Sequence, residues 1–191
     1  GEFILTPQVR QEVIDKPMNI RKYELEGYMV KNLLDKGILK MSSDFVSNQI
    51  LDKETNRIMK NLNSCFKSFN RAIELVQRGE ASCIAFSRLC ASDSVIVIDE
   101  RSTRLMIEAP DNLREIMEHK LHTKIVVNNG IIKPFKDIKF IRSCELVYVA
   151  YEKKLFDVKN GKDFLEAVLY GLKYKGTAVS KAEIEEIKRL A

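Results

Sequence analysis

Four acidic residues stand at positions where proteins commonly build ligand sites. Glu80 lies in the first turn of a predicted helix, Asp99 and Glu100 end the apolar run of residues 95–98, and Glu12 lies on the first predicted helix. Carboxylate oxygens are the ligands that Mg²⁺ and Mn²⁺ prefer, and like charges converge only around a cation. Together the acids predict an oxygen-ligated metal site. Taken alone, Glu80 is also explained as a helix-start acid and Asp99 as a turn former.

The elements that must position these acids are typical of an α/β fold. Residues 95–98 form a β-branched apolar run, predicted as a buried strand that delivers acids at its C-terminal end. Residues 124–128 are predicted as a second strand of parallel type. A short strand over residues 2–6 runs into Thr6 and Pro7, where an N-cap threonine and a proline at the first helical position begin the helix that carries Glu12.

Residues 19–77 are predicted to be almost wholly helical, with no strand. Apolar stripes at helical spacing run through this span, and Gly37 ends the first of them. The pattern favours a helical hairpin or bundle attached to the α/β core. Near the end of the chain, Ser180 is predicted to cap a last helix, with Glu183 as its capping-box partner. The basic residues expected on the outer side of the helical span are Lys53, Arg57, Lys60, Lys67 and Arg71.

Length, charge and cysteine content restrict the class of protein. The 191 residues suit one domain with a real core, and the net charge of +5 permits a polyanionic partner without demanding one. The four cysteines form no CxxC pair, and Cys83 and Cys90 fall in an apolar-periodic helix, which predicts buried free thiols in a reducing, cytoplasmic compartment. The first residues are too short an apolar stretch and lack the basic start of a signal peptide, so none is expected, and no apolar run approaches the ~18 residues of a membrane span.

Several other chemistries lack their motifs. The chain contains no GxGxxG, Walker, HExxH or GxSxG sequence. His119 and His122 lie three residues apart at a predicted helix end, and two ligands are too few for a metal site, so a surface pair is favoured. Aromatic residues are not expected to interleave with basic ones as they do on a stacking platform for single strands.

Short segments on both flanks of the chain resemble PIN-domain ribonucleases. Residues 4–13, Ile-Leu-Thr-Pro-Gln-Val-Arg-Gln-Glu-Val, are similar to the family's strand followed by Thr-Pro-x-Val-x-x-Glu. Residues 79–87, Gly-Glu-Ala-Ser-Cys-Ile-Ala-Phe-Ser, resemble its G-E-A-x-x-I-A-x-A helix, and residues 94–100 resemble its strand ending in a later acid. The tail from Gly176 resembles the glycine and last capped helix of several members. Residues 19–77 are then a helical insertion within a single domain spanning 1–191.

The resemblance implies a Rossmann-like PIN fold, with a short parallel sheet flanked by helices. It also implies metal-dependent hydrolysis of RNA phosphodiester bonds. Glu12, Glu80 and Asp99 carry over as catalytic residues and as ligands of Mg²⁺ or Mn²⁺, with the adjacent Glu100 as a further metal ligand. Because side chains alternate along a strand, one of Asp99 and Glu100 is expected to point away from the metal site.

Two arginines follow the strand end and are the predicted phosphate-binding residues. Arg101 and Arg104 are expected to hold phosphate oxygens by charge-assisted hydrogen bonds, with a solvated arginine pair on a short helix as the alternative. Ser102 or Thr103 is expected to cap that helix.

The first acid of the PIN family has no counterpart in residues 1–191. It lies on an N-terminal strand, in an Asp-Thr/Ser motif, so either that strand precedes Gly1 in a longer chain or the protein is a relative without activity. Three hypotheses stay open: an endoribonuclease, a non-catalytic PIN-like module that binds RNA or protein, and a helical scaffold whose acids are structural. The expected partners are RNA, a second copy in a homodimer and an antitoxin-like protein, with no membrane.

Overall fold

A computed structural model describes residues 1–90, 93–156 and 161–191 and shows an α/β protein. Its α-helices are α1 (Pro7–Arg10), α2 (Glu24–Asp35), α3 (Asn48–Leu62), α4 (Arg78–Cys90), α5 (Arg101–Glu108), α6 (Pro110–Leu121), α7 (Asn129–Ile132), α8 (Ser143–Glu152), α9 (Lys162–Tyr174) and α10 (Lys181–Leu190). Its strands are β1 (Phe3–Leu5), β2 (Leu39–Met41), β3 (Phe66–Ser68), β4 (Arg71–Ala72), β5 (Val95–Val97), β6 (Val126–Val127) and β7 (Lys139–Ile141). Every strand is short, so packing against helices must supply most of the stability of the sheets.

Helix starts follow from local side-chain chemistry, as predicted. The Thr6 hydroxyl accepts a hydrogen bond from the Val9 backbone N–H at 3.4 Å, and Pro7 occupies the first position of α1. Ser180 and Glu183 form the predicted capping box: the Glu183 N–H donates to the Ser180 hydroxyl at 3.1 Å, and the Ser180 N–H donates to the Glu183 carboxylate at 2.8 Å. Both predictions are confirmed.

The strands form two parallel pairs and one antiparallel sheet. β1 pairs with β2 and β5 pairs with β7, each parallel and each joined by helical crossovers as parallel neighbours require. The third sheet has the order β4-β3-β6. Within the described residues each strand of these two parallel pairs has one strand neighbour, so both edges of each pair are open.

The predicted absence of strands from residues 19–77 is wrong. The helices α2 and α3 are there, and Gly37 follows α2 with a φ of +69°, but β2, β3 and β4 interrupt the span. Each of these strands has only two or three residues, too few for a period-2 pattern to stand out. The buried residues Leu51, Ile58 and Leu62 of α3 belong to the same hydrophobic cluster as Ile84 of α4.

Two further strand predictions need correction. Val126 and Val127 pair antiparallel with β3, because hydrophobicity predicts a strand but not the direction of its partner. In the predicted buried strand, Ile96 and Ile98 are 7% and 8% exposed, whereas Val95 and Val97 are each 48% exposed. One face of β5 is therefore in the core and the other is half open to solvent.

A smaller hydrophobic cluster joins α8, α9 and α10 around Cys144 and Ile184. Arg142 bridges this region by donating to Glu183 at 2.7 Å and to Glu145 at 2.9 Å. Burial acts to raise the pKa of Glu183, but the hydrogen bonds from Arg142 and Ser180 outweigh it and hold that pKa to about 2. The carboxylate of Glu183 thus stays ionised at neutral pH and ties the last helix to α8.

All four cysteines are free thiols, in agreement with the sequence. Cys65 and Cys144 are buried, and burial raises the pKa of Cys65 to about 11. Cys90 is exposed, so its predicted burial is wrong: it lies in the last turn of α4, past the buried face. None of the helices in the described ranges combines the length and apolar character needed to span a bilayer.

Candidate functional site

Glu80 is held at the start of α4 by two hydrogen bonds. One carboxylate oxygen, Oε2, accepts from the Gln77 backbone N–H at 2.9 Å and from the Thr103 hydroxyl at 2.6 Å. The first bond is half of a capping box, in which the side chain of the third helical residue accepts from the backbone N–H of the residue that precedes the helix. The second is nonlocal, because Thr103 lies fully buried on α5. Glu80 is thereby fixed between two helices.

The surroundings of Glu80 disfavour its negative charge. Burial is the largest cause that raises its pKa, and the nearby charges of Glu100 and Glu12 raise it further. The hydrogen bonds from Thr103 and Gln77 act in the opposite direction without cancelling the rise. The three glutamates are therefore electrostatically coupled, although Glu12 is separated from Glu80 by most of the N-terminal half of the chain.

Glu12 lies directly against the backbone of Gly79. If residue 79 carried a Cβ, that atom would lie 2.6 Å from Oε2 and 2.9 Å from Oε1 of Glu12, well inside van der Waals contact. Glu12 belongs to a π-helical turn, Gln11–Asp15, which continues α1. Such turns are frequent at functional sites. A glycine at 79 is what allows the carboxylate of Glu12 to reach the start of α4.

A buried pair of hydroxyls holds α1 against α4. Ser82 donates to the Gly79 carbonyl at 2.6 Å, so the 2.6 Å contact between the Thr6 and Ser82 hydroxyls has Thr6 as its donor. Thr6 also caps α1, and the same side chain therefore starts the helix that leads to Glu12 and aligns it with α4. Sequence analysis identified Thr6 only as a cap. No local sequence pattern indicates the contact with Ser82, because the two residues are 76 positions apart.

Glu100 is, with Glu12, a charge that raises the pKa of Glu80. It is the N-cap of α5, and its carboxylate accepts from the Ser102 backbone N–H at 3.0 Å. The prediction that Ser102 or Thr103 caps this helix is wrong, because Glu100 occupies that position and Thr103 points to Glu80 instead. An acidic N-cap is favoured by the helix dipole.

Asp99 makes its contacts elsewhere. Its Oδ1 accepts from the Ser143 backbone N–H at 2.9 Å, and its Oδ2 accepts from the hydroxyls of Ser143 and, at 3.3 Å, Thr177. The adjacent Glu100, by contrast, is among the charges that raise the pKa of Glu80. Asp99 and Glu100 both follow the end of β5, and their carboxylates bond to different helices. Asp99 links the end of β5 to the first turn of α8.

We expect Asp99→Ala to lower the free energy of unfolding by about 1–2 kcal/mol, because it removes a charged acceptor from a helix start and leaves Ser143 without its partner. Denaturant unfolding followed by circular dichroism measures this loss. Asp137→Ala is the matched control, since Asp137 lies exposed in a turn. An equal effect of the two substitutions would contradict the linking role of Asp99.

The predicted phosphate ligands differ in their environment. Arg104 donates to Glu108 at 3.3 Å, one helical turn along α5, and its buried Nε has no hydrogen-bond partner among the described residues. Arg101 is exposed in the first turn of the same helix, beside Glu100. At the end of α6, the rings of His119 and His122 lie 6.4 Å apart between centroids. The histidine pair is thus a surface feature, as favoured from the sequence.

Among the described residues no salt bridge involves Glu12, Glu80 or Glu100. Arg78, two residues before Glu80, pairs instead with Asp52 at 2.5 Å. The buried thiol of Cys83 responds to this environment: burial first, and then the charges of Glu12 and Glu80, raise its pKa to about 11. Cys83 is therefore a neutral thiol and not a nucleophile at physiological pH.

In the described ranges, no three acids, histidines or cysteines are arranged closely enough to hold a metal ion by themselves. The Glu12 carboxylate lies against Gly79, the charges of Glu12 and Glu100 raise the pKa of Glu80, and Asp99 is bonded to α8. The metal-binding role of these acids stays a prediction. No protein-family model, curated protein or solved structure matches the chain.

Proposed function

We propose that the protein is a metal-dependent endoribonuclease of the PIN type, acting in the cytoplasm on RNA phosphodiester bonds. The contact that carries this proposal is the one between the Glu12 carboxylate and Gly79, which joins the two segments that resemble PIN motifs. Each segment resembles a PIN motif by its own sequence. The contact is independent support, because it places the two segments next to each other in space. Glu80 lies next to Gly79, so both predicted acids face the start of α4.

The acid cluster suits a divalent cation. Burial first, and then the charges of Glu100 and Glu12, raise the pKa of Glu80, and a bound cation would offset this cost of its negative charge. Glu12, Glu80 and Glu100 would hold Mg²⁺ or Mn²⁺, with Asp99 contributing from the end of β5. When bound, such an ion lowers the pKa of an attacking water and polarises a phosphate oxygen. Thr103 orients Glu80, and Arg101 would contact the phosphate.

The strand arrangement supports a Rossmann-like PIN fold. β1 with β2 and β5 with β7 are parallel pairs whose crossovers contain helices. Both pairs have open edges, and the half-exposed Val95 and Val97 belong to an apolar strand of the kind that parallel sheets bury on both faces. A single parallel sheet that includes both pairs is the finer architecture we propose.

A non-catalytic PIN-like module is the second candidate. It is favoured by one observation: both oxygens of Asp99 accept hydrogen bonds from Ser143 and Thr177, which is a structural use of the acid predicted to be catalytic. Such a module would bind RNA or protein through the same surface without cleaving a bond. A homodimer and an antitoxin-like partner stay predictions. A dimer contact is most plausible on the exposed apolar side chains of α2, which are Leu25, Tyr28, Met29 and Leu33.

The test is the cleavage of a labelled single-stranded RNA by the purified protein with Mn²⁺, with Mg²⁺ and with a chelator. We expect fragments that accumulate with the divalent ion and stop with the chelator. Cleavage that continues unchanged in the chelator would contradict a metal-dependent mechanism. Binding of the RNA without cleavage under any of these conditions would favour the non-catalytic module.

A further inference from the structure

Two long segments of the chain contain no acidic residue. Residues 55–73 and 119–136 include no aspartate or glutamate, although such residues make up 27 of 191. The two segments carry eight of the 32 lysines and arginines, and since the whole chain has a net charge of +5, everything outside them carries a net −3. The eight basic residues are Arg57, Lys60, Lys67, Arg71, Lys120, Lys124, Lys133 and Lys136.

The fold brings these segments together in the antiparallel sheet. β3 and β4 come from the first segment and β6 from the second, and Lys67 of β3 lies opposite Val126 of β6. Beside them, the hydroxyls of Ser68 and Thr123 lie 3.4 Å apart. Continued by two residues, this register places Lys124 across from Phe69. Lys124, which lies far along the sequence from Lys67 and Arg71, is therefore brought to the same sheet, and the three residues form its basic surface.

The basic side chains of the two segments face solvent. All eight are exposed, and among the described residues Arg57 is the one that forms a salt bridge, at 2.5 Å to Glu54. Lys67 and Arg71 flank the turn between β3 and β4, where a surface groove of about 530 Å³ is lined by Ser68, Phe69, Arg71 and their neighbours on β4. A cluster of unpaired cations beside a groove attracts a polyanion.

Phe69, at the tip of the β3–β4 hairpin, has a backbone conformation that is unfavourable for a bulky residue. It is 86% exposed and has a φ of +48°, and the following residue, Asn70, has a φ of +62°. Two-residue hairpin turns with positive φ at both positions prefer asparagine and glycine, and a bulky residue in this region is strained. The side chain buries almost nothing in return. The expectation that no aromatic residue interleaves with basic ones is wrong here, because Lys67, Phe69 and Arg71 alternate at the tip.

We propose that this hairpin binds single-stranded RNA, with a base stacked on Phe69 and phosphates held by Lys67, Arg71 and Lys124. Aromatic side chains between cations are how proteins bind single strands without reading their sequence. The choice of RNA over other single strands rests on the proposed function. Residues 73–77 connect β4 to α4, the helix that carries Glu80.

Fluorescence anisotropy with a labelled RNA of about 12 nucleotides tests the stacking contact. All titrations contain chelator, so that binding is measured without cleavage. Phe69→Asn is expected to weaken binding by about 5- to 150-fold, while relief of the left-handed strain raises the Tm by about 2 °C. Phe69→Trp keeps an aromatic face and should bind as the natural protein does. Unchanged affinity in Phe69→Asn would overturn the proposal.

The phosphate contacts are tested by salt dependence. Each lost contact lowers the slope of log affinity against log salt by about 0.7 for a single strand, so the double variant Lys67→Ala, Arg71→Ala should lose about 1.4. The control removes two exposed lysines from the region of α2, Lys31→Ala and Lys36→Ala. An equal loss in the control would show that only net charge matters and would overturn the site.

These measurements separate the two proposals. If the natural protein binds RNA through Phe69 but never cleaves it with Mn²⁺, the hairpin site stands and the ribonuclease does not. If the protein cleaves RNA and neither the Phe69 nor the Lys67 and Arg71 variants change its affinity, the ribonuclease stands and the hairpin site does not. A protein that does not bind single-stranded RNA at all overturns the hairpin site directly.

Discussion

Glu80→Gln is expected to lower Mn²⁺-dependent RNA cleavage by on the order of 100-fold or more, with the protein still folded. Glutamine keeps the shape of the side chain and one carbonyl oxygen, which can accept the hydrogen bonds from Gln77 and Thr103. It removes the negative charge that a divalent ion requires, and such an ion supplies several kcal/mol of transition-state stabilisation. The rate of cleavage at saturating RNA measures the effect.

The same substitution should not destabilise the protein near neutral pH. The pKa of Glu80 is raised by burial and by the charges of Glu100 and Glu12, so its ionised form is less favourable in the folded chain than in the unfolded one. A raised carboxyl pKa lowers stability at pH values above it, and this cost disappears as the pH falls through the pKa. Glu80→Gln removes the cost. Its free energy of unfolding should equal or exceed that of the natural protein.

The control for Glu80→Gln is Glu115→Gln on α6, whose carboxylate is largely exposed. Both variants lose one negative charge by the same chemical change, so any effect of net charge on RNA affinity is shared. Equal residual cleavage in the two proteins would point to a contaminating ribonuclease and would remove Glu80 from the mechanism. A fall in stability without a change in cleavage would assign Glu80 a purely structural role.

The features predicted correctly from the sequence are those that neighbouring residues determine. Thr6 and Pro7 begin α1, Ser180 and Glu183 begin α10, and Glu80 lies in the first turn of α4. Each depends on a side chain bonding to backbone two or three residues away, which the sequence displays directly. The α/β class also follows, because the apolar run at residues 95–98 and the helical periodicities are strong local patterns.

The features that were missed depend on partners far along the chain. β3 and β4 are too short for a period to be seen, and their turn contains Phe69 and Asn70 instead of the glycine that would have marked it. The hydrogen bond from Thr103 to Glu80 and those from Ser143 to Asp99 join residues that only tertiary packing brings together. Sequence spacing could place acids at element ends, but it could not decide which of them share a pocket.

Gly79→Ala is expected to lower activity strongly without lowering the stability of the fold. Because a Cβ there would lie 2.6 Å and 2.9 Å from the carboxylate oxygens of Glu12, one of the two groups must move. Glu12 is exposed and its carboxylate is the far end of a flexible side chain, so it is the group that moves. We expect cleavage to fall by about 10- to 100-fold, as when a group that orients a metal ligand is removed.

Stability should not fall with this loss of activity. Alanine is better than glycine in a helix by about 0.5–1 kcal/mol, and displacement of the Glu12 carboxylate also relieves repulsion with Glu80. Gly171→Ala on α9 is the matched control, because a Cβ at that position meets no other atom within 4 Å. The control should gain the same helix stability and keep full activity. A loss of activity in both variants would mean that stiffening of helices, and not the Glu12 carboxylate, limits cleavage.

A double-mutant cycle shows whether Glu12 and Gly79 act through their contact. Gly79→Ala is expected to cost activity in the natural protein but almost nothing in a Glu12→Ala background, where the carboxylate it displaces is already absent. The cleavage rates of the two single variants, the double variant and the natural protein give the coupling directly. If the two losses instead add, Gly79 serves activity by a route independent of Glu12, and the contact that joins the two PIN-like segments has no part in function. If Gly79→Ala has no effect in the Glu12→Ala background, the glycine serves activity by leaving space for the Glu12 carboxylate. A role of Gly79 in helix packing alone would not give that result.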